Sequence, residues 1–148
     1  MAREFSFPVS VDWLGGKLVR VGVDGKPPVD VATPPEFKGT HPAVWSPEDM
    51  LAGAVASCYA MTLVSATRHR EVPLHDFHVD GVARIGRRGD GALAFTSVTL
   101  VVDIETDPDR VEDARAAALR AEEGCFVSMA LNVPVGLDLT VRAREAAA

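Results

Sequence analysis

Only two cysteines, Cys58 and Cys125, occur among the 148 residues, and they stand 67 positions apart. With so few, and with no C-x-x-C pair or Cys/His ligand cluster, neither a disulfide scaffold nor a zinc ribbon is available. What remains for the two thiols is catalytic or redox use, or inert burial. Basic residues are also scarce, 15 Lys and Arg against 21 Asp and Glu, for a net charge of -6. That balance excludes a phosphate-binding surface, so no nucleic-acid partner is expected. The two dense basic stretches, "RHR" at 68–70 and "RIGRR" at 84–88 beside "GDG", read as solvated turns. His69, His75 and His78 lie close together without a zinc spacing and read as surface and strand histidines. The opening "MAREFSFPVSVDW" has no basic segment leading into an apolar run, so no secretory signal is read and a cytoplasmic location is expected. Aromatics are sparse at 6%, whereas hydrophobic residues reach 47% and charged ones 24%, the proportions of a single globular domain over 1–148.

Period-two patterns open the chain: "FSFPVSVDW", a Gly15-Gly16 turn, "KLVRVGV", an Asp24-Gly25 turn and "VDVA" form a small meander of three strands. The segment from Thr33 to Trp45 carries three prolines and a glycine and reads as an irregular loop. Ser46 is a good N-cap, Pro47 suits the first helical position, and Asp49 completes a capping-box pattern, so a long helix is predicted to about Arg68. Its 18 uncharged residues from Met50 to Thr67 touch the lower length for a membrane span. Their Ala, Ser, Thr and Gly content argues against a membrane and for a helix apolar on every side, inside a core or subunit interface. Two longer strands, Phe77–Ile85 and Leu93–Ile104, join through a hairpin. A helix from Pro108 to just before Gly124, a short helix headed by Cys125, and a last strand in "VPVGLDLTVRA" complete the order βββ-α-ββ-αα-β, an α+β fold.

On electrostatics alone, Cys125 is the thiol favoured for acidity, because it stands at the start of a short helix where exposed N–H groups gather. Cys58 is mid-helix in apolar surroundings, where desolvation disfavours the thiolate. Its reactivity requires a donor or cation brought from elsewhere in the fold.

"SPEDMLAGAVASCYAMTL" together with "AEEGCFVSMAL" resembles the OsmC/Ohr family, the osmotically induced and organic-hydroperoxide-resistance proteins, in its OsmC-like branch. The shared pattern is Asn or Ser before Pro-Glu, a small-residue helix carrying Ala-Cys or Ser-Cys, and a distant second cysteine, commonly in Cys-Pro-x-Ser. The resemblance implies antiparallel sheets wrapped around a long buried central helix, and an intertwined homodimer. It implies a thiol-dependent peroxidase for organic hydroperoxides with Cys58 peroxidatic, Cys125 resolving, a dithiol or lipoyl-type reductant, and no cofactor or metal. It also assigns Glu48 to an acid that holds an activating arginine. Ten residues of helix put Glu48 about 15 Å from its own Cys58, which favours a site completed across a dimer. Alone, Glu48 reads equally as a first-turn acid facing the helix dipole. The expected arginine, after Gly-Gly in the first hairpin, is here Lys17, with Arg20 and Lys38 as substitutes, and Phe126 stands where the pattern has proline. A lysine keeps the charge without the planar fork. Two other readings stand beside the peroxidase: a module binding a hydrophobic small molecule, and a purely structural dimer.

Overall fold

The structure, a computed structural model, describes residues 3–146. The chain falls into two compact units, Met1–Met50 and Leu51–Ala148.

In the first unit, strands β1 (Ser10–Gly15), β2 (Leu18–Gly22) and β3 (Val29–Ala32) form an antiparallel sheet in that order. The meander was expected from Phe5, but pairing begins only at Ser10. Pro8 has no N–H to give a ladder, which keeps the preceding segment out of the sheet. Gly15 and Gly16 take φ of +122° and +53°, the conformations the tight β1–β2 turn requires. Val31 and Ala32 of β3 are buried, while β1 is open on both faces, with Val11 60% and Trp13 74% exposed. The Thr33–Trp45 loop contains one 3-10 turn, Pro35–Phe37, and is tied back by the Ala32 N–H donating to the Trp45 carbonyl at 2.8 Å.

Helix α1 (Pro47–His69) starts with the expected capping box. The Asp49 N–H donates to Ser46 Oγ at 3.1 Å, and the Ser46 N–H donates to Asp49 Oδ2 at 2.8 Å. Two of the N–H groups at the helix start are satisfied this way.

The second unit holds the rest of α1, then β4 (Asp76–Arg87), β5 (Leu93–Thr106), a 3-10 turn at Pro108–Arg110, α2 (Val111–Glu123), α3 (Phe126–Ala130) and β6 (Val135–Ala143). The architecture is mixed α+β with two sheets, in the expected element order. One pairing departs from an all-antiparallel arrangement: β4 and β5 are antiparallel, but β6 lies parallel to β5. The connection between β5 and β6 carries α2 and α3, long enough to return the chain to the same end before the last strand starts.

Within one copy, helix α1 is buried along one side. Its buried residues, Val55, Tyr59, Leu63 and Thr67, recur every four positions as a single stripe, while Met61 is 66% exposed. The stripe joins Val98, Leu100, Val102 and Ile104, the alternate residues of β5, and Ala114, Ala118 and Ala121 of α2. Each large apolar side chain so buried contributes about 1.5–3 kcal/mol. Tyr59 reaches across the core to donate its hydroxyl to the Ala118 carbonyl at 3.1 Å, and burial, followed by the nearby Glu122 charge, pushes its ionisation up. Gly81 of β4 sits so close to α1 that a Cβ there would lie 2.8 Å from the Ala52 carbonyl oxygen. Small residues on the helix and a glycine on the strand set the depth at which α1 lies on the sheet, and hence where Cys58 stands.

Candidate active site

Cys58 occupies the middle of α1, half-buried, three residues after Val55 and four before Thr62. Those three positions share one helix face. Thr62 Oγ1 donates to the Cys58 carbonyl at 2.8 Å. Across this face comes the junction between α2 and α3. Gly124 closes α2, with its N–H on the Arg120 carbonyl, and a Cβ at Gly124 would stand 3.4 Å from Thr62 Cγ2. Cys125 is fully buried, with its Sγ 4.0 Å from the Val55 carbonyl oxygen. The fold thus brings the two cysteines together, although both are free thiols.

Cys125 is indeed the N-cap residue of α3, in extended conformation (φ −78°, ψ 108°), but its side chain makes no cap bond. Burial works to raise the Cys58 thiol, but the polar groups around it, the backbone of Val127 and Phe126 and the side chains of Cys125 and Thr62, bring it below the ordinary cysteine value. Thr62 was not singled out from the sequence, although it stands four residues on along the same helix face. The approach of Gly124 and Cys125 to this face was not legible either, because it is made by tertiary packing over more than sixty residues.

The remaining candidates belong to the first unit. Glu48 lies in the first turn of α1, and its Oε2 is shut off from solvent with no hydrogen-bond partner among the described residues. A buried carboxylate oxygen without a donor is costly. Lys17, in the β1–β2 turn, donates from Nζ to the Phe37 carbonyl at 3.3 Å. Arg20 forms a two-point pair with Asp30, Nε to Oδ1 at 2.7 Å and Nη2 to Oδ2 at 3.1 Å, so its fork is already engaged. Lys38 caps the 3-10 turn in the left-handed conformation, φ +62°. Among the histidines, His75 Nε2 lies 2.6 Å from Asp107 Oδ1, and His78 Nε2 lies 3.0 Å from Asp80 Oδ1.

Residues 39–140 match the family described as OsmC-like protein. The uncharacterized protein YmaD of Bacillus subtilis is 23% identical over 145 residues, spanning 92% of this chain and 94% of its own. Among solved structures, an OsmC-like protein of unknown function from Vibrio cholerae is similar with a TM-score of 0.82 at 15% identity, covering 94% of this chain and 100% of that one. The organic hydroperoxide resistance protein OhrB of Bacillus subtilis is similar with a TM-score of 0.70 at 26% identity, covering 92% of this chain and 98% of its own.

Proposed function

Because this chain belongs to the OsmC-like protein family, we propose that it is a thiol-dependent peroxidase acting on organic hydroperoxides, with Cys58 as the attacking thiol and Cys125 as the resolving one. The observation that carries this reading is a half-buried Cys58 thiol, lowered below its ordinary value, with the second cysteine packed on the same helix face, Cys125 Sγ lying 4.0 Å from the Val55 carbonyl oxygen. Such an environment favours the thiolate, the form that attacks peroxides.

In the first step the Cys58 thiolate attacks the terminal oxygen of the hydroperoxide. The S–O bond forms as the O–O bond breaks, sulfur is oxidised to a sulfenic acid, and the departing alkoxide takes a proton to leave as the alcohol. The Cys125 thiol then attacks the sulfenic sulfur, and its proton joins the leaving hydroxide as water, giving a Cys58–Cys125 disulfide. An external dithiol, of small-molecule or lipoyl type, reduces that disulfide by two exchanges and ends as a disulfide itself. The chemistry proceeds on sulfur alone, in a reducing compartment such as the cytoplasm. The exposed apolar side chains of Phe126 and Met129 on α3 suit an alkyl or aryl peroxide better than hydrogen peroxide.

A second copy of the chain is part of this reading. The unpartnered Glu48 oxygen calls for a cation, and in a homodimer Glu48 and Lys17 are offered to the neighbouring copy's Cys58. The test is consumption of cumene hydroperoxide with dithiothreitol or dihydrolipoamide as reductant. Turnover that Cys58→Ser abolishes supports the peroxidase; a folded protein with free thiols and no turnover removes it.

A further inference from the structure

The two sulfurs of the proposed disulfide stand in different surroundings. Cys58 is half-buried at the margin of the core, whereas Cys125 has no exposed surface and belongs to the core itself, with Val55 and Tyr59 of α1 and Ala121 of α2. The segment carrying Cys125 is held down along α1 on either side of Cys58. One turn before it, Cys125 Sγ lies 4.0 Å from the Val55 carbonyl oxygen, and one turn after it, Gly124 closes against Thr62. Main-chain bonds fix the same residue at both ends: the Cys125 N–H donates to the Glu122 carbonyl at 3.3 Å, and the Met129 N–H donates to the Cys125 carbonyl at 3.0 Å. Thiol–disulfide exchange is a displacement at one sulfur, so the outcome depends on which of the two a thiolate can reach. No direction of approach to Cys125 is open. Leaving-group chemistry points the other way, since the lowered Cys58 thiol is the better leaving group and favours attack on Cys125. Access decides, because a core segment opens only near the free energy of global unfolding, which outweighs a leaving-group difference.

We propose that the reductant attacks the Cys58 sulfur and not that of Cys125, so that one sulfur receives peroxide and reductant in turn while Cys125 stays in the core throughout. The assignment deepens the peroxidase reading and rests on it for the place of the disulfide in turnover. In the first exchange a thiolate of the external dithiol bonds to Cys58 Sγ as the Cys58–Cys125 bond breaks. The electron pair leaves on Cys125 Sγ, which takes up the proton that the reductant thiol gave up. The second thiolate of the reductant then attacks the reductant sulfur now bound to Cys58, closing the reductant's own disulfide and releasing the Cys58 thiolate. The reductant loses two electrons and the protein disulfide gains them.

The experiment forms the disulfide with diamide, which needs no peroxide, and then adds mercaptoethanol, a monothiol that halts at the mixed disulfide. Acid stops the exchange at successive times, the denatured protein is capped with N-ethylmaleimide, and tandem mass spectrometry locates both groups. The expected result is mercaptoethanol on Cys58 with the cap on Cys125, exceeding the reverse arrangement by at least about tenfold. An even or reversed distribution overturns the assignment, as does a diamide-treated protein whose two thiols are still free. Where Cys125 expels the monothiol too fast for the mixed disulfide to be seen, the single-cysteine proteins decide, each treated with dithiodipyridine when folded and in denaturant. Folding is expected to slow Cys125 in Cys58→Ser by at least about a hundredfold and Cys58 in Cys125→Ser by less than about tenfold. Equal protection of the two overturns the assignment. Neither measurement uses a hydroperoxide, so turnover can fail while attack at Cys58 holds, and turnover can succeed while attack falls on Cys125.

Discussion

At Cys58 burial opposes the thiolate and the polar groups around the sulfur favour it, and the balance lies below the ordinary cysteine value. A thiol with a folded-state value below its unfolded one binds fewer protons in the folded state near that range. It therefore adds stability that is present in full above the ordinary cysteine value of 9.0 and is lost as pH falls through the lowered folded value. Thermal melts under reducing conditions check the sign: the advantage of the parent over Cys58→Ser is expected to grow from mildly acidic pH toward pH of about 9. An advantage that shrinks over that range would mean the thiol is raised, not lowered. At this scale the sequence was half legible. The resemblance marked Cys58 and Cys125, whereas Thr62, four residues on along the same helix face, was not singled out. The approach of Gly124 and Cys125 to the Cys58 face was not legible, since no local pattern encodes which helix the α2–α3 junction crosses.

Among the elements, punctuation was read best. Ser46, Pro47 and Asp49 announced the start of α1, Gly124 the end of α2, and Gly15-Gly16 the first hairpin, because each acts through its own backbone or its nearest neighbours. Non-local choices were read less well. Whether β6 ran parallel to β5 depended on how α2 and α3 fill the connection, and no residue of "VPVGLDLTVRA" encodes it. Within one copy only a single stripe of α1 is buried, and a helix of Ala, Ser and Thr gives a weak apolar pattern. The four-residue spacing of Val55, Tyr59, Leu63 and Thr67 was the usable signal. That stripe fixes α1 on the sheet through Gly81 and leaves the turn carrying Cys58 and Thr62 to meet Gly124 and Cys125.

The whole chain presents more apolar surface than one copy can use. Val11 and Trp13 on β1 are exposed, and Phe5, Phe7 and Val9 continue the same alternation toward the N-terminus. A three-stranded sheet whose first strand is open on both faces gains most of its stability from something laid against it. With Met61 and Val64 of α1 also exposed, and Glu48 Oε2 lacking a donor, we assign that covering to a second copy. Sedimentation equilibrium is expected to report a dimer that Val11→Asp with Trp13→Asp converts to monomer, and a monomeric parent would refute the assignment. The central claim remains the division of labour between the two thiols. Its most direct test is intact mass and free-thiol count after one equivalent of cumene hydroperoxide, on the parent, Cys58→Ser and Cys125→Ser. A rapid Cys58–Cys125 disulfide in the parent, a sulfenic acid trapped on Cys58 when Cys125 is replaced, and an inert Cys58→Ser protein are the predicted results. Two thiols that survive the peroxide unchanged in the parent, or oxidation that begins at Cys125, would contradict the account.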